Sequence, residues 1–419
     1  MDHVCTKIYN PNINIFYWII IMFQNLQALP PDPLLGLITA FQEDPRDSKV
    51  DLGVGVYRDD AGQTPIMRAI SEAAKIHLAE ETSKSYINPA GVPGFVESMI
   101  DLTLGENSDV ISSGRISGIQ TPGGCGALRI GAELLKRLDS PVTIWVSDPT
   151  WANHIPLLSA AGHEIKSYPY FDADTGLVNF DAMAEKLKQL GEDDVVLLHG
   201  CCHNPTGADL SLENWREIAN IAAIRGFLPF IDIAYQGLGD DLETDVAGVR
   251  MVSESVSEMM IATSCSKNFG LYRDRVGSIL VQTGTNDKAT AAVTQLKDAA
   301  RASYSMPPAY GGYLVNYVMS KPELKVMWQD ELASMAGRVK QLRQGILDAL
   351  NARNVSKDFS FITQQKGMFS YLGITPKQIH ILREEYAIYM AGSSRINVAG
   401  LTTDSIDYVA DAIKAVHPD

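Results

Sequence analysis

Five short runs of almost unbroken apolar residues, spaced by stretches of helical periodicity, constrain this chain more than any other feature. They are Pro141 to Val146 (PVTIWV), Val195 to His199 (VVLLH), Phe227 to Ile233 (FLPFIDI), Met260 to Cys265 (MIATSC) and Gly277 to Val281 (GSILV). A strand with one wet face alternates apolar and polar residues, whereas a run apolar throughout must be covered on both sides. From about Pro65 the pattern therefore predicts an α/β fold, a parallel sheet with helices on both faces, with ligand chemistry at the carboxyl ends of the strands. Past about residue 320 the texture changes to a long amphipathic helix, Glu323 to Asn351, then two strand signals and helices at Pro376 to Tyr389 and Thr403 to Val416, which predicts a second, smaller α+β unit.

Composition narrows the function. Among 419 residues, 35 Lys and Arg stand against 50 Asp and Glu, a net charge of −15 that excludes a broad basic surface for nucleic acid. Five scattered cysteines, an odd number, make no disulfide framework and fit a reducing, cytoplasmic compartment. The apolar run Ile15 to Phe23 is far short of the roughly 20 residues needed to span a bilayer. It could be a signal-peptide core, with Lys7 upstream, but no clear small-residue cleavage site follows. Ile8 to Ile21 is built almost wholly of Ile, Tyr, Asn and Phe, whose codons are AT-rich, and the expectation is that Met22 is the start and residues 1–21 a translated upstream extension. Mass spectrometry of the native protein decides this, and an intact Met1 refutes it.

Several residues carry chemistry. Asp232 stands at the end of an apolar run, where a carboxylate needs a cation or a protonated nitrogen; otherwise it merely caps a loop or helix. Lys267 follows the next run in SCSKNFGLYRDR and is either a Schiff-base nucleophile beside Asp232 or an ordinary surface lysine. Ser264, Ser266, Arg273 and Arg275 flank it with the hydroxyls and the guanidinium fork that bind phosphate. TPGGCGAL, Thr121 to Leu128, opens a helix whose glycines let backbone N–H groups approach an anion, but it matches neither a dinucleotide fingerprint nor a Walker A loop. His199, Cys201, Cys202 and His203 in HGCCHNPTG are zinc-type ligands too crowded for a tetrahedral site, and simple burial of the cysteines is the rival account. The turn that follows could aim Asn204 into the mouth of the sheet. Trp151 could cover a flat ligand or plug the core, and Arg301 and Arg395 could clamp carboxylates or sit in solvent.

Taken together, SDPTWANH, LLHGCCHNPTGADL, DIAYQG, SCSKNFGLYRDRVG, RASYSMPPAYG, KGMFSYLG and SRINVAGL resemble, in order and spacing, the fold-type I class I aminotransferases that use pyridoxal 5'-phosphate, in particular the aspartate and aromatic amino-acid subgroup. The resemblance runs from about Met22 to the end. It implies a large domain with a mostly parallel seven-stranded sheet sandwiched by helices plus a smaller α+β domain: an arm at 22–35, the small domain at 36–64 and 326–419, the large one at 65–325.

It also implies roles. Lys267 would bind the cofactor covalently and then act as general base and acid at the substrate Cα. Asp232 would keep the pyridine nitrogen charged, with His154 and His199 near it, in place of the zinc account. Tyr235 and Asn204 would hydrogen-bond the ring oxygen, and Trp151 would stack on the ring. Gly123, Gly124, Cys125, Ser264 and Arg275 would hold the phosphate, joined by Tyr86 from the second chain of a homodimer. Arg395 would grip the substrate α-carboxylate with Gly55 and Asn204, and Arg301 of the partner subunit would meet a distal carboxylate. Two departures stand out. Cys125 occupies a position commonly Thr or Ser, which predicts looser cofactor binding. Met306 occupies a position commonly Asn in dicarboxylate-specific members, which leans toward aromatic or dual specificity. The expected reaction is ping-pong transfer of an amino group from tyrosine, phenylalanine or aspartate to 2-oxoglutarate, with no metal. Strict aspartate specificity is the first alternative, and elimination or decarboxylation on the same fold the second.

Overall fold

The computed structural model describes residues 33–417 and, before them, 6–10, 15–19, 23 and 26–29. Thr6–Asn10 and Ile15–Ile19 pair antiparallel, with Ile8 opposite Tyr17. Met22, the expected start, lies outside the described residues.

A seven-stranded sheet organises the molecule, in the order Ile116–Pro122, Val276–Gln282, Met259–Ser264, Leu228–Ile233, Asp194–His199, Thr143–Asp148, Glu164–Pro169. From Met259–Ser264 to Glu164–Pro169 every neighbouring pair is parallel, while Val276–Gln282 runs antiparallel to both of its neighbours. It returns through the short loop after Ser264, too short for the crossover helix that a parallel neighbour requires.

The apolar runs are explained by two-sided burial. Val195, Leu197, Phe230, Met260 and Ile279 face one core, and Val196, Leu198, Ile231, Ile261 and Leu280 face the other. All five expected strands are present to within two residues at each end. Two further strands carry no continuous apolar run. Ile116–Pro122 (ISGIQTP) is weakly apolar because Gly118 lies so close to its neighbour that an added Cβ would come within 2.4 Å of the Ile279 carbonyl oxygen. Glu164–Pro169 (EIKSYP) is an edge strand with mostly exposed or half-buried side chains.

Helices Gly123–Leu135 and Asn286–Ser303 cover one face, and Leu212–Arg225 with Ala247–Ser255 the other. The long helix spans Pro322–Ala352, one residue beyond expectation at each end. The helix expected to reach Tyr389 stops at Tyr386, because Ala387 turns left-handed (φ 51°) and Ile388–Tyr389 becomes a strand parallel to Val50–Asp51. The last helix begins at Ile406, after a 3-10 turn at Thr403–Ser405. Phe369–Tyr371 pairs antiparallel with Arg395–Asn397, so the early segment around Leu52 and the late strands share one core with Trp328 and Leu332 of the long helix.

Candidate active site

The carboxyl ends of the strands open on a cavity of about 280 Å³. Lys267, Asp232, Tyr235, Asn204, Trp151, Gly55, Gly124, Cys125, Ser264, Arg275 and Arg395 all line it. Gly124 and Cys125 come from the first turn of helix Gly123–Leu135 and the others from loops or strand ends: Trp151 follows Thr143–Asp148, Asn204 follows Asp194–His199, and Lys267 follows Met259–Ser264.

Asp232, the next-to-last residue of its strand, is buried. Burial works against its charge, but His154 Nε2 donates to Oδ2 at 3.1 Å and, with His199 and Lys267, holds the carboxyl below its usual range. Thr150 Oγ1 joins the rings, 2.8 Å from His154 Nδ1 and 3.2 Å from His199 Nε2. Burial pushes His199 down to about 3, so it stays neutral. Burial likewise lowers Lys267 to about 8 against the pull of Asp232, and its Nζ lies 4.6 Å from the centre of the Tyr235 ring.

The glycine loop forms an anion cradle. Gly123 is left-handed (φ 69°), and a Cβ there would lie 2.6 Å from Arg275 Nη2. Helix Gly123–Leu135 has no side-chain cap on its first N–H groups, and a buried helix start without one invites an anion. Arg275 Nη1 donates to Ser266 Oγ (3.3 Å) and to the Tyr272 carbonyl (3.0 Å), and Ser264 Oγ donates to Ser266 Oγ (3.1 Å). Cys125 Sγ accepts from Asn153 Nδ2 at 3.8 Å.

On the other side of Lys267, Arg395 Nη1 donates to Asn204 Oδ1 at 3.3 Å and Nη2 to the Gly53 carbonyl at 2.8 Å. Its Nε is buried with no hydrogen-bond partner among the described residues. The Phe369 ring lies 4.4 Å from the guanidinium carbon.

A lysine and an acid at the mouth of the sheet, flanked by an anion cradle and a guanidinium with a free donor, match the family found by comparison. Residues 47–413 fit the model of aminotransferase class I and II. The chain belongs to the class I and II aminotransferases. Aspartate aminotransferase of Escherichia coli is 42% identical over 395 residues, covering 94% of this chain and 100% of the relative. Aromatic-amino-acid aminotransferase of Pseudomonas aeruginosa is 43% identical over 397 residues, 95% and 99% of the two chains. Among solved structures, the aromatic-amino-acid aminotransferase of Burkholderia pseudomallei, covalently bound to pyridoxal phosphate, superposes with TM-score 0.93 at 42% identity, covering 95% of this chain and 100% of that one.

In this aminotransferase the remaining expected residues fall as follows. Gly123 abuts Arg275 beside the cavity. Tyr86 (91% exposed) and Arg301 (exposed) do not line it, and the Met306 Sδ accepts from the Ile87 N–H at 3.3 Å, next to Tyr86. The four zinc-type side chains do not converge. His203 is taken by Ser147 (3.0 Å) and Thr206 (2.8 Å), while Cys201 and Cys202 turn toward Asp245, whose carboxylate already accepts the N–H groups of Gly237, Gly239 and Asp240. Ser266 lines the cavity as well, whereas Arg273 is exposed; sequence reasoning missed Phe369 and Tyr272, which also line it. The hydroxyl of Tyr272 accepts the Tyr57 N–H at 2.9 Å and so ties the early segment to the Lys267 loop. Its place in KNFGLYRDR was the available signal, but register alone does not show which way a loop tyrosine points.

Proposed function

We propose that this aminotransferase carries pyridoxal 5'-phosphate and moves the amino group of an aromatic amino acid, aspartate or both to 2-oxoglutarate. The observation that carries this is the free, buried Nε of Arg395 on the wall shared with Lys267, a donor that a substrate carboxylate satisfies. The cradle fits the cofactor: Gly123, Gly124, Cys125, Ser264 and Arg275 for the phosphate, Asp232 for the ring nitrogen, Asn204 and Tyr235 for the ring oxygen, Trp151 for the ring face.

When bound, the cofactor supplies an electron sink for the pair left at the substrate Cα. The chain's own residues do the rest. Lys267 Nζ, poised near neutrality by burial, takes the Cα proton and returns it. Asp232, kept anionic by His154, holds a proton on the ring nitrogen. Arg395 and Asn204 orient the carboxylate.

An aromatic preference is supported by a second cleft of about 730 Å³ that shares Trp151, Asn204 and Arg395 and adds Leu37, Tyr371, Ile379 and Met390. Met306, beside Tyr86, supports it too. Tyr86 and Arg301 sit off the cavity, which supports a homodimer in which each completes the partner's site. The division into 65–325 and a smaller unit of 36–64 with 326–419, and a cytoplasmic location, belong to the same proposal. No helix among the described residues is long and apolar enough to cross a membrane.

The test is the half-reaction spectrum of the pyridoxal-phosphate-loaded protein with phenylalanine, tyrosine and aspartate added separately, using Lys267→Ala as control. Conversion to the pyridoxamine form is expected with phenylalanine or tyrosine. Conversion with aspartate alone refutes the aromatic assignment, and none with any refutes transamination.

A further inference from the structure

Arg343 lies in the middle of helix Pro322–Ala352 and is 3% exposed, yet its hydrogen bonds all run to main-chain carbonyls of one neighbouring segment. Nη1 donates to Ile362 (2.8 Å), Nε to Gly367 (3.2 Å), and Nη2 to Lys366 (3.1 Å), Gly367 (2.8 Å) and Phe369. The planar guanidinium offers five N–H donors in a fixed fork, and no other side chain can hold so many carbonyls in one plane. Burying such a group is costly, so its retention needs an explanation beyond packing.

The segment it holds leads to the substrate clamp in two directions. Phe369 stands against the Arg395 guanidinium at 4.4 Å and edge-on to the Tyr235 ring at 5.8 Å. On the other side, the Lys366 N–H donates to the Gly207 carbonyl at 2.7 Å, and a Cβ on Gly207 would come within 2.3 Å of the Phe369 carbonyl oxygen. Gly207 ends the turn that begins at Asn204, the residue that accepts from Arg395. One guanidinium therefore fixes the segment that touches Arg395 and the end of the Asn204 turn, without lining the cavity itself.

We infer that Arg343 is a positioning residue for the substrate carboxylate, acting through Phe369 and the Asn204 turn to set the aim of Arg395. This rests on the reading that Arg395 grips that carboxylate. Arg343→Lys keeps the charge and loses the fork. A charge-assisted hydrogen bond contributes roughly ten- to a hundredfold in affinity, which a misaimed clamp forfeits. Arg343→Lys is therefore expected to raise both the dissociation constant of 3-phenylpropionate, an unreactive carboxylate, and the amino-acid KM about ten- to a hundredfold, with kcat and the pyridoxal phosphate dissociation constant nearly unchanged.

Binding of 3-phenylpropionate is measured by titrating the absorbance of the holoenzyme, with wild type and Arg395→Lys alongside. If Arg395→Lys binds it as well as wild type, the clamp itself is refuted; if wild type does not bind it, the aromatic assignment falls and succinate, an unreactive dicarboxylate, takes its place in the same titration. If Arg395→Lys loses it while Arg343→Lys binds like wild type, only the positioning role falls. Equal losses of cofactor and carboxylate affinity in Arg343→Lys would show general loosening and also overturn it. Phe369→Leu leaves Arg343 in place and serves if Arg343→Lys does not fold: it must itself weaken 3-phenylpropionate without weakening the cofactor, and an unchanged value refutes the route. Where both variants fold, their effects combined should be less than additive, and additivity refutes it as well.

Discussion

Lys267 is the residue whose chemistry the fold changes most. Burial holds its amine at about 8, against about 10.5 in an exposed lysine. The rate at which pyridoxal phosphate bonds covalently to the cofactor-free protein should therefore rise about tenfold per pH unit and level off near pH 8, followed by stopped-flow absorbance. A plateau only above pH 10 would show that the amine is unperturbed. Stability carries the same signature. Between pH 8 and 10.5 the unfolded chain binds more protons at this site than the folded one, so stability of the cofactor-free protein should gain from this group as pH rises through that window. Cys125 makes a complementary case. Its thiol is a weak donor in a phosphate cradle. Cys125→Thr is expected to lower the pyridoxal phosphate dissociation constant a few-fold, corresponding to about 1 kcal/mol for one hydrogen bond, measured by fluorescence titration. An equal constant would mean that the backbone donors suffice.

At the scale of elements, the strand–turn–helix unit from Ile116 to Leu135 shows how a weakly apolar sequence is fixed by what surrounds it. Gly123 is both left-handed and pressed against Arg275, so Gly123→Ala meets a steric cost at the backbone and at the guanidinium. Pyridoxal phosphate affinity should fall at least about tenfold, since the helix N-terminus and Arg275 are displaced together. Thermal unfolding of the cofactor-free variant should drop only a few degrees, because a left-handed alanine costs about 1–2 kcal/mol. Equal affinity by equilibrium dialysis would refute the cradle. The buried strands were legible because both of their faces are apolar, whereas Glu164–Pro169 was not, its side chains being mostly turned to solvent. The Pro376 helix was overextended because no proline or glycine marks its end; Ala387 ends it by turning left-handed so that Ile388 can pair with Val50.

For the whole molecule, the decisive question is how many chains make one site. If Arg301 and Tyr86 serve the partner, mixing Lys267→Ala with Arg301→Asp chains leaves one intact site in each hybrid dimer. Random exchange then restores about a quarter of the wild-type rate with aspartate, although neither variant alone is active with it. No recovery after refolding the mixture would mean that each site is built within one chain. The polar links across the molecule, such as Tyr57 N–H to the Tyr272 hydroxyl and Lys366 to Asp240, join segments more than 100 residues apart.

The sequence alone determined the layered α/β plan, because two-sided burial leaves its mark in continuous apolar runs, and it placed Asp232 near the end of one strand and Lys267 and Asn204 in the segments that follow two others, because glycine, proline and charge punctuate apolar segments. Tertiary structure decided which way those side chains point and what supports them. The free Nε of Arg395, the depressed amine of Lys267, the separation of the histidines from Cys201 and Cys202, and the carbonyls gathered by Arg343 all depend on contacts between distant segments, and no local pattern encodes the distance between residues 343 and 369.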